Sequence, residues 1–396
     1  MTDHKACPVP TPDSVRAAYS LIIPYIHRTP VLRSETLDRI ASTPQEESAF
    51  KGTAFEGQKP ATPIFRLYFK CENFQKIGAF KARGAFHALL RLCSELGIDE
   101  VRKCGVTTHS SGKQDTLLTW DKSNNSEGNH AQALALAAFT LNIPAHIVMP
   151  SISTKSKIAG TRAYNARVIF SGSTEPERVA IVEEVIKETG AILVPPYDHP
   201  DIISGQGTAG LELQMQVEDL LKDSDTENNP KNDSVLNAVI TPLGGGGLLA
   251  GTATYFSTKL STYVFGAEPS FEGGDDGRRG LAYGSRIPTV STLTIADGLR
   301  TPIGEINWTV ISDQNKVRGI FAVTEQQIKD AMKLILESLK VFIEPSAAVP
   351  FAVILFDEEF RRIVMKEGGK VGWDVGVVLS GGNTTVEAVC RLYNES

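Results

Sequence analysis

Cysteine is scarce in this chain and poorly spaced for shared chemistry. Only Cys7, Cys71, Cys93, Cys104 and Cys390 occur among 396 residues, an odd and scattered set without a C-x-x-C pair. Neither a disulfide framework nor a cysteine zinc site is therefore expected. Long apolar runs are also missing. No stretch approaches the length of a membrane span, and the opening MTDHKACPVP lacks the apolar centre of a signal peptide. No basic run of five or more exists and the net charge is −6, so nucleic acid is not an expected partner. Cytoplasm is the expected location.

What is present describes an ordinary globular protein, 41% hydrophobic and long enough for two domains or one with an insertion. Short β-branched or apolar runs alternate with helical patterns. Strands are expected at Val31-Leu32, Leu67–Phe69, Cys104–His109, Ile143–Met149, Val168–Phe170, Val235–Thr241, Val264–Glu268 and Val375–Leu379. Helices are expected at Ser14–Ile26, from Phe80, from Asn129, at Lys155–Ala163, Glu175–Glu188, Ile203–Leu220 and Thr324–Leu339, and from Glu344. Thr324 and Gln327 have the spacing of a capping box. This alternation argues for βαβ units around parallel sheets, hence an α/β fold. Residues 42–63 and 223–233 read as surface loops.

Four stretches carry candidate chemistry. The first, Leu67 to Leu92, passes from a strand end through a glycine-containing loop into a helix whose first turn holds Lys81. Unpartnered N–H groups and the positive end of the helix dipole disfavour added positive charge there, so the amine should release its proton more readily than a free lysine. A carbonyl-attacking lysine requires this. In the second, Gly244-Gly245-Gly246-Gly247-Leu248 joins a strand to a helix, and such a turn can aim several backbone N–H groups at one phosphate. No Lys-Ser/Thr pair follows, which argues against a nucleotide loop. The third, Glu268 to Gly277, places carboxylates around a glycine-rich turn and could hold a hard cation.

The fourth stretch is interrupted. Ser110-Ser111-Gly112 follows a strand, but sixteen residues, KQDTLLTWDKSNNSEG (113–128), separate it from the helix that opens with Asn129-His130-Ala131. Deleting them leaves SSGNHAQALALAA. The segment is polar, fits no element of the fold and spans a whole number of codons. Gly112-Lys113 and Glu127-Gly128 can be encoded with splice-donor and splice-acceptor signals, so we read it as a retained short intron. The alternative is a genuine loop at the rim of the site.

From about Val15 to Val389 the chain resembles the fold-type II pyridoxal-phosphate enzymes, which are tryptophan synthase β-like, and within them the serine racemase and serine/threonine dehydratase branch. The resemblance rests on the lysine motif, the SSG…NHA pair and the glycine turn, in that order. It implies two parallel-sheet αβα domains with the active site between them: a large one from 1–104 and 196–396, and a small one from 105–195. It implies that Lys81 bears pyridoxal phosphate as a Schiff base and then acts as base on one face of the substrate's α-carbon, with Ser111 on the other. Phe80 would lie against the ring, Gly244 to Gly247 and the Leu248 amide would hold the phosphate, Asn129 the ring hydroxyl, and Ser380 would face the ring nitrogen. A neutral hydroxyl there suits elimination or racemisation better than transamination. Ser110, Ser111, Asn129 and His130 would surround the substrate carboxylate.

The resemblance further implies a divalent cation (Mg²⁺, or Ca²⁺ or Mn²⁺) on Glu268, the Gly274 carbonyl and Asp276, and a homodimer. The expected activity is dehydration or racemisation of small hydroxy amino acids such as serine and threonine. Two alternatives remain at this stage. One is a β-replacing synthase, although that branch has Thr-Gly after the asparagine where this chain has His130-Ala131. The other is a cofactor-binding protein impaired by the insertion.

Overall fold

A computed structural model describes residues 9–109, 128–153, 155–172, 175–222 and 235–394. Ser110, Ser111 and the inserted segment up to residue 127 lie outside the described residues.

The described residues form ten strands in two sheets. In chain order these are β1 (Val31–Leu32), β2 (Phe65–Cys71), β3 (Val106–His109), β4 (Ala145–Pro150), β5 (Arg167–Ser171), β6 (Ile192–Leu193), β7 (Ala238–Pro242), β8 (Tyr263–Pro269), β9 (Gly319–Val323) and β10 (Trp373–Leu379). The larger sheet has the order β1-β2-β10-β7-β8-β9, and the smaller one β5-β4-β3-β6. All pairs are parallel except β1 with β2. The α/β architecture with parallel sheets is the expected one.

Parallel sheets need helices on their faces, and the strand sequences are built for burial on both. Leu67, Phe69 and Cys71 of β2 and Val375, Val377 and Leu379 of β10 join one core with Phe265, Phe351 and Phe360. The intervening Tyr68 and Val378 join a second core with Val239, Leu249 and Phe256. A third core packs the smaller sheet against the helices Lys81–Leu96 and Asn129–Thr140, through Ala82, Phe86, Leu89, Leu134 and Ile147.

Several boundaries shift. Cys104 ends a helix, Ile98–Cys104, instead of opening a strand, and Gly105 at φ 75° makes the break before β3. The expected strand from Val235 begins only at Ala238. Helices Glu35–Ser42, Asp276–Tyr283 and Glu358–Gly368 were not expected from periodicity. The capping box at Thr324 and Gln327 is present in both directions. Most consequential for function is the strand order. β2, β10 and β7 lie side by side, and their carboxyl ends lead into the Lys81 loop, Ser380 and the glycine turn respectively. Crevices outside such strand ends are where open α/β sheets bind ligands.

Candidate active site

Lys81 is the first residue of its helix, with Phe80 as the cap. The loop before it is tied to the end of β10, because the Phe80 N–H donates to the Ser380 carbonyl at 3.0 Å and Ala79 bridges Gly381. The lysine therefore stands at a defined height over the sheet. Its Nζ donates to the Pro196 carbonyl at 2.9 Å. Although the side chain keeps partial exposure to the cleft, the protein packed around it pushes the amine down to about 8. Burial is the main cause and the charge of Glu344 opposes it. The direction agrees with the helix-end argument, but exclusion of water accounts for it.

The glycine turn lines the same cleft. It leads from β7 into the helix Gly247–Phe256, whose N-cap Gly246 has φ 97°, a left-handed conformation that favours glycine. A Cβ on Gly245 would meet the Tyr197 ring at 2.6 Å, and one on Gly244 would meet Leu299 Cα at 2.9 Å. Asn307 Nδ2 donates to the Gly245 carbonyl at 2.6 Å, and Asp198 accepts the main-chain N–H groups of Glu305 and Asn307. Asn307 thus ties the turn from outside the cleft lining, and side-chain-free backbone at a helix N-terminus lines the cleft. That environment suits a phosphate.

A cleft is lined by Phe80, Lys81, Asn129, His130, Gly244 to Gly247, Leu248, Glu344 and Ser380, among others. Every expected cofactor residue is brought to it. Ser110 and Ser111 are outside the described residues. His130 is buried, and its Nε2 donates to the Val194 carbonyl at 3.4 Å. Burial, reinforced by the charge of Lys81, pushes this imidazole down to about 3, so it is neutral at physiological pH. Its Nδ1 is then an acceptor, with no hydrogen-bond partner among the described residues.

Sequence reasoning missed Tyr197, Asn307, Glu344 and Asn383. Glu344 is buried and its carboxyl is pushed up to about 7, first by burial and then by Asp297, against the charge of Lys157 and a hydrogen bond from Asn129. The Glu344-Pro345-Ser346 helix start was visible in the sequence, yet nothing local shows that it faces the cleft. Pyridoxal phosphate fits the residues present: a partly neutral amine, a phosphate cradle, and amide and hydroxyl groups that line one cleft.

Glu268 is near the end of β8, Gly274 and Asp276 follow that end, and none of the three lines the cleft. Both carboxyl groups are buried. Burial and their mutual repulsion push Glu268 well up, and burial takes Asp276 to about 6. Glu268 accepts the N–H groups of Gly277 and Arg278, whereas the Arg278 and Arg279 side chains go to Asp275. No group of three or more His, Cys, Asp or Glu among the described residues is arranged for a metal. The expected set, however, has only two side chains and a carbonyl, and two repelling buried carboxyls fit a hard cation.

Residues 53–381 match the family "Pyridoxal-phosphate dependent enzyme". The chain is 36% identical to serine racemase of Arabidopsis thaliana over 384 residues, 97% of this chain and 96% of that one. It is 36% identical to L-threo-3-hydroxyaspartate ammonia-lyase of Saccharomyces cerevisiae over 389 residues, 98% and 97% of the two chains. The structure of maize serine racemase superposes with a TM-score of 0.77 at 34% identity, covering 98% of each chain. With a lysine at a helix start and a glycine turn lining one cleft at the ends of three adjacent parallel strands, the chain belongs to the pyridoxal-phosphate dependent, fold-type II family in its serine racemase and ammonia-lyase branch.

Proposed function

We propose that this enzyme removes the α-proton of small β-hydroxy amino acids, serine above all, and either returns it on the opposite face or eliminates the β-hydroxyl. The observation that carries this reading is the Lys81 amine, held at about 8 inside a cleft that also presents a phosphate cradle. When bound, pyridoxal phosphate supplies an aldehyde that captures amines and a ring that draws electrons from the α-carbon. The protein's part is holding and proton transfer. Gly244 to Gly247 and the Leu248 amide would hold the phosphate, Phe80 would lie against the ring, the Asn129 amide would donate to the ring oxygen and the Ser380 hydroxyl would face the ring nitrogen. Lys81 Nζ, already partly neutral near pH 8, takes the α-proton on one face. Ser111 serves the other face, and Ser110, Ser111, Asn129 and neutral His130 receive the substrate carboxylate.

A divalent cation on Glu268, the Gly274 carbonyl and Asp276 would relieve the repulsion between the two carboxyl groups. The proposed domains are 1–104 with 196–396 and 105–195, a division supported by β3 to β6 pairing in a sheet of their own. A homodimer is the family expectation, and the cytoplasm is the proposed location.

The test follows pyruvate and D-serine after adding L-serine and Mg²⁺ to two proteins, the full chain and a variant lacking Lys113 to Gly128. Activity in the full chain supports the reading and makes the insertion a tolerated loop. Activity only in the shortened variant supports the family chemistry and makes the full chain an impaired form. Silence in both overturns the reading.

A further inference from the structure

Asn383 ends the Ser380-Gly381-Gly382-Asn383 turn after β10, and the main chain determines which way its side-chain amide points. Its Nδ2 lies 2.7 Å from the Ile77 carbonyl oxygen. A backbone carbonyl only accepts, so the atom facing it must be the amide nitrogen. The other N–H of that nitrogen goes to Asn129 Oδ1 at 2.6 Å. The oxygen of Asn129 is thereby assigned as well, and its Nδ2 faces Glu344 at 3.2 and 3.4 Å from the two carboxyl oxygens. Two oxygens of one carboxyl subtend a smaller angle than that between the two N–H bonds of an amide. Glu344 therefore takes one N–H, shared between its oxygens, and the second N–H of Asn129 is left for the cleft that Asn129 lines. Flipping Asn129 would set nitrogen against nitrogen at Asn383.

The backbone before Lys81 is shaped for this chain of bonds. Ile77 has φ 59° and ψ 11°, a left-handed conformation that a β-branched residue rarely adopts. Gly78 follows at φ 72°, and a Cβ there would stand 2.5 Å from Asn383 Oδ1. The strained Ile77 peptide offers its carbonyl to Asn383, and Gly78 leaves room for the other end of the same amide. Strain of this kind persists where surrounding structure over-determines it.

We propose that Asn383 is a positioning residue, which carries the fixed polarity of the Ile77 carbonyl to Asn129 and holds Asn129 as a donor towards the cofactor's ring oxygen. The proposal rests on the reading of Asn129 as the partner of that oxygen. Asn383 also ties the start of the helix Asn129–Thr140, which packs on the smaller sheet, to the end of β10 in the larger one.

The test uses holoenzyme of four variants: Asn383→Ala, Asn383→Asp, Asn129→Ala, and the double Asn129→Ala/Asn383→Ala. Cofactor affinity and the pH profile of the bound cofactor's visible absorption are read for each, with kcat and KM for serine. Asn383→Ala is expected to weaken cofactor binding roughly tenfold, the scale of one hydrogen bond, and to move the absorption profile. Asn383→Asp keeps the shape but sets a carboxylate against two oxygens, and should do more. In the Asn129→Ala background Asn383→Ala should add nothing, because its effect passes through Asn129. A changed Asn129→Ala spectrum with an additive or silent Asn383→Ala overturns this inference alone. An unchanged Asn129→Ala spectrum removes the reading of Asn129, and this inference with it. Should Asn383→Ala not fold, the isosteric Asp variant decides on the same readouts.

Discussion

Two clusters of buried charge lie close together in this protein and are treated in opposite ways. In the first, Arg83 makes two bonds to Glu72, at 2.7 and 2.8 Å, and a further one to Glu212. Lys70 reaches Glu212 at 2.7 Å, the Thr29 carbonyl at 2.8 Å and Gln216 at 2.7 Å. All four charged residues are essentially fully buried, and each charge has an opposite one beside it. Burial alone would raise the Glu72 carboxyl, but Arg83, with Lys70 and the Thr29 hydroxyl, holds it below its ordinary value. In the second cluster, two residues before Arg83 on the same helix, Lys81 is pushed down to about 8 and Glu344 up to about 7. Neither has a compensating ion pair among the salt bridges of the described residues. Balanced charge fastens β2, the lysine helix and the helix Pro200–Lys222 together. Unbalanced charge supplies groups that can exchange protons near neutral pH.

The comparison breaks most visibly on the lysine. Lys81→Met should lower turnover by roughly 10³-fold or more, since it removes both the amine and the base. It should leave the unfolding free energy of the cofactor-free protein unchanged or slightly higher, because a desolvated amine is gone. Assays with L-serine together with denaturant titrations check both halves.

Two positions along, the ranking should reverse. Arg83→Met leaves two buried carboxylates, Glu72 and Glu212, with Lys70 as their one remaining cation, and is expected to cost about 3–5 kcal/mol of stability. Denaturant midpoints of cofactor-free protein measure it, and a midpoint equal to the parent's would show that the first cluster is not a scaffold.

The smallest effect concerns pH. The Glu344 carboxyl is raised in the fold from 4.5 to about 7, so between those values the folded chain keeps a proton that the unfolded chain has released. Its contribution is fully present below pH 4.5 and is lost as pH rises towards 7, by about 3 kcal/mol. Glu344→Gln should remove that slope. The measurement is the difference in unfolding free energy between parent and variant at pH 5 and pH 7.5. A difference that does not change with pH would mean that Glu344 is ionised throughout and belongs with the balanced cluster.

Local pattern made much of the fold legible. The alternating core faces of β2 and β10, the lysine at a helix start and the glycine turn between strand and helix all depend on residues near each other in the chain, where period and turn chemistry apply. The helix Ile98–Cys104 was missed because only Val101 is buried, so no apolar stripe announces it. Glu344 and Asn383 were missed for another reason. Each meets Asn129 across 215 and 254 positions of sequence, and no local signal encodes such a meeting.

The sequence by itself determined which residue types stand at the strand ends, and with them the α/β class and the kind of cofactor chemistry. Tertiary structure decided the order β2-β10-β7 that gathers those ends into one cleft. It also decided the protonation of Lys81, His130 and Glu344, and the direction in which Asn129 donates. These depend on how completely water is excluded and on which distant group fills the space. Such quantities exist only once the chain has packed.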